Sequence, residues 1–385
     1  MLQASRLVSK RLEGVRPSAT VAMSTRAREL RRAGRDSIAL SAGQPDFPTP
    51  VHVCEAAAEA MARGETCYTN LTGTPELKAA ISASFRRTSG LDFGENEIIV
   101  SPGGKSVIAA ALAATLSPGD EVVVPTPCWT SYPDMVRLFG GTPVPVAGGA
   151  DFKLTPEALD AFITPETRWL ILNSPGNPTG AVYSASELSA LAEVLRRHPH
   201  VWVLSDDIYS TVTFATPFAT LAAVAPDLAS RTLIVSGVSK SYSMTGWRVG
   251  WGAGPAELIT LMATVQGQTT TCAPSISQAA SVAALEGPQS YLADWTDSYR
   301  ARRDLVVRGL NALPGITCPV PDGAFYAFFK LPEGTDDMDW CTRLLEERGV
   351  ALVPGAAFSA PGHVRLSYAA SEADLRSALQ RMERA

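Results

Sequence analysis

Apolar positions along the chain change their rhythm twice. Over residues 16–34 they recur at helical spacing, with Ser and Thr near the start and Gly34 past the end, which predicts a helix. Its Arg26, Arg28, Arg31 and Arg32 suit a solvated face. Between about residues 97 and 255, short apolar runs rich in β-branched residues take over, at 97–100, 121–124, 169–172, 201–204, 232–235 and 248–251. Most are too apolar to have one wet face, and helical stretches separate them. Strands alternating with helices predict an α/β fold with a mostly parallel sheet covered on both faces.

Near Gly287 this alternation fades. A charged helix over 294–313, a strand in DGAFYAFF, a helix over 338–348 and a strand in VRLSY follow. They predict a second, smaller α+β unit against which the N-terminal helix packs. The expected division is a large domain over 46–287 and a small one built from 1–45 and 288–385.

Composition narrows the class. Of 385 residues, 46% are hydrophobic and 18% charged, which excludes a disordered chain. No uninterrupted apolar run reaches the roughly 20 residues of a membrane span. A net charge of −5 argues against a nucleic-acid binder. The first residues lack a signal peptide's apolar core, and Cys54, Cys67, Cys128, Cys272, Cys318 and Cys341 form no CxxC pair. A cytoplasmic protein with reduced thiols is expected. His52, His198, His200 and His363 show no ligand spacing, so no metal is expected. Only 6 of the 33 cationic residues are lysine, which makes each lysine's neighbourhood informative.

In an open parallel sheet, ligands bind beyond the carboxyl ends of the strands. After 98–100 stands SPGGKS, a Gly-Gly turn opening a helix, whose N–H groups and dipole suit an anion, with Lys105 adding a charge. It is neither a Walker loop nor GxGxxG. After 169–172 stands NSPGNPTG, an irregular loop presenting Asn177. After 201–204 stands SDDIY. A carboxylate on a buried strand end is costly unless paired, so Asp206 requires a cation or a protonated ring nitrogen, or else caps a helix. Tyr209 is placed to bond the same ligand. After 232–235 stands SGVSKSYSMTGWR, with Lys240 where a desolvated amine could form a Schiff base and Arg248 placed to neutralise a phosphate. A Schiff-base lysine, an acid for a ring nitrogen and a phosphate cup are what pyridoxal phosphate requires.

At this point the sequence resembles a known family. PSATVA, SAGQPDFPTP, YTNLTGTPELK, SPGGKS, PTPCWTSYPDMV, NSPGNPTGAVY, LSDDIY, SGVSKSYSMTGWRVGW, DGAFYAF, VPGAAF and HVRLSYAAS run almost end to end. They are similar to those of class I aminotransferases of fold type I, near the bacterial aspartate and prephenate branch. The resemblance implies that Lys240 binds pyridoxal 5'-phosphate covalently and shuttles the substrate proton. It implies that Asp206 protonates the pyridine nitrogen, that Tyr209 and Asn177 bond the phenolic oxygen, and that Trp129 stacks on the ring. Gly104, Lys105, Ser239 and Arg248 would meet the phosphate, with Tyr68 from a neighbouring subunit of a homodimer. Arg365 would clamp the substrate carboxylate, helped by Gly43. Lys105 and Thr20 would read a distal carboxylate, with Arg16 nearby.

Several positions depart from the common pattern. Asp207 stands where Glu is frequent, Gly237 where some relatives have Ser, Cys128 where Tyr is frequent and Ser106 where Gln is frequent. None removes a catalytic group, but they surround the pocket. The implied reaction moves an amino group between aspartate or glutamate and a 2-oxo acid. Prephenate, a specialised substrate or a lyase reaction on the same fold are the alternatives. A cofactor-binding regulator would need an appended DNA-binding region, for which the chain leaves no room before its first motif.

Overall fold

The structure, a computed structural model, describes residues 9–383 except 13, 16 and 18. Arg16 therefore lies outside the described residues. The strands are β1 (Ile38–Ala39), β2 (Ile98–Ser101), β3 (Glu121–Thr126), β4 (Thr142–Ala147), β5 (Thr167–Asn173) and β6 (Trp202–Asp206). After them come β7 (Thr232–Gly237), β8 (Gly250–Ala253), β9 (Tyr326–Lys330), β10 (Val350–Ala351), β11 (Val353–Pro354) and β12 (His363–Ser367).

Seven strands form one sheet in the order β2-β8-β7-β6-β5-β3-β4. β7, β6, β5, β3 and β4 pair in parallel, while β8 runs antiparallel to both β7 and β2. Every residue of β2 and β8 is buried, as continuous apolar runs between two helix layers require. Helices such as Gly104–Thr115, Ala185–Arg197 and Ala256–Thr269 supply those layers. The mostly parallel, doubly covered sheet is the one the alternating pattern predicts.

Two local expectations change. The run at 248–251 does not begin a strand at Arg248; β8 starts at Gly250, and Arg248 sits in a left-handed conformation with φ 57°. β4 has no counterpart in the sequence reading, because TPVPVA carries Pro143 and Pro145. Proline lacks the N–H of a central strand and is tolerated at a sheet edge, and the edge is where β4 lies.

A separate antiparallel sheet, β11-β12-β9, and the parallel pair β1-β10 lie in the chain's terminal parts. Helices Ala19–Arg32, Tyr291–Asn311, Asp337–Arg348 and Glu372–Met382 accompany them. One apolar cluster joins Ile38, Tyr299, Val306, Leu310, Phe325, Phe329, Leu366 and Leu375 to Tyr209 and Val212, which follow β6 of the large sheet. Burying side chains of this size stabilises by about 1.5–3 kcal/mol each. That shared core fixes Arg365 of β12 against the strand ends of the large sheet. Among the described residues, no helix is long and apolar enough to cross a membrane.

Candidate active site

Strands β2, β3, β5, β6 and β7 all end on one edge of the large sheet, and a cavity of about 360 Å³ opens there. That volume falls in the usual range for small-molecule sites, roughly 300–1,000 Å³. Thr20, Gly43, Gly104, Lys105, Trp129, Asn177, Asp206, Tyr209, Ser239, Lys240, Arg248 and Arg365 line it together. Tyr68, the remaining candidate, does not; the residue is 89% exposed on this chain's surface.

The anion end is built from backbone. Gly103 caps the helix Gly104–Thr115 at φ 94°, and a Cβ there would stand 2.4 Å from Arg248 Nη2. Only glycine leaves that space between the helix terminus and the guanidinium. Arg248 donates to Pro102 O (3.2 Å) and Thr245 O (3.0 Å) and has no carboxylate partner among the described residues. The N–H groups of Gly104 and Lys105 at the helix N-terminus, the Ser239 hydroxyl and the Arg248 guanidinium make a cradle for a phosphate.

On the opposite wall, Asp206 is 5% exposed. Burial raises its pKa to about 6, against the pull of Tyr132, the Ile208 N–H and Lys240. Tyr132 donates to Asp206 Oδ2 at 2.6 Å, and no cation forms an ion pair with the carboxylate among the described residues. Lys240 Nζ donates to Gly43 O at 2.5 Å. Its pKa is lowered to about 8, by burial first and then by Arg365 and Arg248, with Asp206 opposing. A buried acid and a half-buried, readily deprotonated amine thus share one cavity, the arrangement acid–base chemistry needs.

Arg365 closes the site from β12. It is 1% exposed, yet no carboxylate lies within ion-pair distance of it among the described residues. It donates through Nη1 to Asn177 Oδ1 (2.9 Å) and through Nη2 to Ser41 O (2.5 Å). Its carbon centre lies 4.6 Å from the Tyr326 ring centroid and 4.9 Å from that of Phe358. Nε has no partner. A buried, unneutralised cation is costly, and the open cavity beside it is where an anion would compensate it. At the rim, Lys105 Nζ lies 4.7 Å over the Trp129 ring. Burial and Arg248 lower its pKa.

Three further residues shape the site without having been singled out from sequence. Tyr132 orients Asp206. Asn173 accepts from the Asn177 N–H (2.9 Å) and donates to Asp206 O (2.8 Å), which ties two loops together. Tyr326 exchanges a hydrogen bond with Tyr209, hydroxyl to hydroxyl, at 2.7 Å. Tyr132 lies in a quoted motif three residues after Trp129, but an aromatic there reads first as packing.

Asp207 faces away from this cavity into a second one of about 240 Å³. It is 4% exposed and accepts from Ser205 Oγ at 2.7 Å. Burial first, and Asp206 beside it, raise its pKa to about 8. The unfolded carboxyl titrates at about 3.9, so between about pH 4 and 8 the folded chain holds a proton the unfolded chain has lost. Stability therefore falls as pH rises across that window. Asp207→Asn should flatten the dependence of Tm on pH between 5 and 8 and melt above the wild type at pH 9. An unchanged slope in a calorimetric series would contradict this.

The fold of the whole is fold type I, the one aspartate aminotransferases use. It superposes on the crystal structure of the aspartate aminotransferase from Rhizobium meliloti with a TM-score of 0.94, at 50% identity over 98% of both chains. It matches the Thermus thermophilus aspartate aminotransferase, solved with maleate, at 0.94, with 44% identity over 99% of this chain and 100% of the other. In sequence, an aspartate aminotransferase of Rhizobium meliloti (strain 1021) is 51% identical over 97% of this chain and 95% of its own length. An aspartate/prephenate aminotransferase of Cereibacter sphaeroides is 50% identical over 98% of each. Residues 35–382 match the family described as aminotransferase class I and II. The chain belongs to that family, and it is a transaminase.

Proposed function

We propose that the chain is a pyridoxal 5'-phosphate-dependent aminotransferase acting on aspartate or glutamate and their 2-oxo acids, as a cytoplasmic homodimer. One observation carries the reading. The half-buried amine of Lys240 shares a single cavity with a buried carboxylate, Asp206, and a buried guanidinium, Arg365, neither of which has an ion-pair partner among the described residues. An acid in search of a cation and a cation in search of an acid fit a ligand set with a protonated ring nitrogen at one end and a carboxylate at the other.

The residues present fit the cofactor. Gly104, Ser239 and Arg248 would hold its phosphate, Trp129 its ring face, Asp206 its ring nitrogen, Tyr209 and Asn177 its phenolic oxygen, and Lys240 its aldehyde carbon. Bound there, the group supplies an electron sink that acidifies the substrate's Cα–H bond. The rest belongs to the chain. Asp206, desolvated beside Tyr132, keeps the ring nitrogen protonated, and a cation there returns its own pKa toward the ordinary range. Arg365 takes the α-carboxylate as a two-pronged fork. Lys240, freed by the incoming amine, would remove the proton at the substrate's Cα and deliver it to the carbon to which the amine had been attached. Its lowered pKa suits that work near neutral pH.

Lys105 and Thr20, at the cavity rim, support a distal carboxylate, and the Thermus relative was solved with the dicarboxylate maleate. Tyr68, exposed beside exposed Leu71, would complete a partner subunit's phosphate site. A relative named for both aspartate and prephenate makes prephenate the second reading. The test is the visible absorbance of the purified protein before and after single amino acids, aspartate and glutamate first. A yellow band that bleaches with aspartate and returns with a 2-oxo acid is the expected result. A band that no amino donor bleaches would defeat transamination of these substrates. In the same assay Lys105→Ala should lower kcat/KM for aspartate by about tenfold or more, the scale of a charge-assisted hydrogen bond, and alter that for an apolar amino acid less. Equal losses would remove Lys105 from substrate recognition.

A further inference from the structure

Tyr326 lies on β9, in the antiparallel sheet, yet its side chain touches three residues of the candidate site. It is fully buried and lines the same cavity as Lys240. Its hydroxyl and that of Tyr209 are 2.7 Å apart, and among the described residues neither hydroxyl has another hydrogen-bond partner. Its ring presents a face to the Arg365 guanidinium, 4.6 Å from centroid to carbon. Its hydroxyl also presses on Gly43, where a Cβ would stand only 2.6 Å from it. The Gly43 carbonyl accepts from Lys240.

We propose that Tyr326 is a positioning residue: its hydroxyl sets the direction of the Tyr209 O–H, and its ring sets the plane of the Arg365 fork. The inference rests on the proposed function for Tyr209 and Arg365. A tyrosine hydroxyl has one proton to donate. When Tyr209 donates that proton to a phenolic oxygen in the cavity, its own oxygen can only accept within the tyrosine pair, so Tyr326 must be the donor. The result is a relay from Tyr326 to Tyr209 to the ligand, and hydrogen bonds in such a chain strengthen one another. The ring does separate work. A guanidinium has two faces, and here Tyr326 and Phe358 occupy positions against it, which leaves the in-plane N–H groups to point at Asn177, Ser41 and the cavity.

Two variants separate the two roles. Tyr326→Phe removes the hydroxyl and keeps the ring; Tyr326→Leu removes both. Each is compared with wild type as the pyridoxal-phosphate-loaded protein, after its Tm has shown that it is folded. With the relay broken, Tyr209 donates less strongly to the phenolic oxygen, so the pH midpoint of the bound chromophore's absorbance should rise in both variants. The KM for aspartate should stay within about twofold in Tyr326→Phe and rise about tenfold or more in Tyr326→Leu, the scale of a desolvated cation–ring contact. A midpoint unmoved in both variants would overturn the relay, and equal KM values in both would overturn the role of the ring. Calorimetry of succinate on the cofactor-free chain reads the Arg365 half independently, with the same expected split in affinity. A wild-type chain that never shows a cofactor band would thus sink the proposed function, while the succinate affinities still decide the tyrosine.

Discussion

Lys240→Ala should abolish turnover, with a loss on the order of 10⁴-fold or more, because in the proposed function one amine supplies both the covalent attachment and the proton transfer at Cα. Among the described residues, the only other lysine lining the cavity is Lys105, which stands over Trp129. The fold should survive. Among the described residues the Lys240 amine makes a single hydrogen bond, to Gly43 O, and desolvation disfavours the charge it carries. Removing a desolvated amine costs little stability. The variant should therefore keep its Tm, bind the cofactor without a covalent bond and fail to complete a half-reaction with aspartate in single-turnover spectroscopy. Turnover within tenfold of wild type would end the assignment of Lys240.

Arg365 gives the second large effect, and it separates function from stability. Arg365→Lys keeps the charge but loses the planar fork. The expected loss in kcat/KM for aspartate is about 10²–10³-fold, or roughly 2.7–4 kcal/mol, carried mainly by KM. Arg365→Met should lose activity further yet melt no lower than wild type in the absence of ligand. A buried cation without an acid beside it destabilises the empty protein, and an apolar replacement of similar length relieves that cost. Among the described residues Arg365 donates to two oxygens, Asn177 Oδ1 and Ser41 O, so few partners are orphaned. If Arg365→Met lowered Tm by several degrees, the residue would be structural rather than held ready for an anion.

Much of this site is legible in the sequence because its chemistry follows strand ends, and strand ends announce themselves by apolar runs stopping at Gly, Asn, Asp or Ser. Twelve candidates found in that way or by family resemblance line one cavity. What escapes does so for physical reasons. Tyr132 and Tyr326 are aromatic side chains that form part of the core, and no spacing distinguishes them from packing. The burial of Arg365 is hidden too: in HVRLS the arginine interrupts an apolar strand, as a solvated edge residue would. Only the pairing of β12 between β9 and β11 places it inside. Arg248 is misplaced by two residues because its left-handed turn precedes β8 with no glycine at that position to mark it.

The two prolines of β4 bear on how copies of the chain can meet. Pro143 and Pro145 occupy alternate positions, so both missing N–H groups fall on the same side of the strand. The other side is occupied by the ladder to β3. The outer rim of the large sheet therefore offers carbonyls without the matching donors that a docking strand would need. Growth of the sheet by strand addition is blocked at that margin. Even at high concentration, self-association has to go through side-chain surfaces and not through a continuous sheet shared across β4.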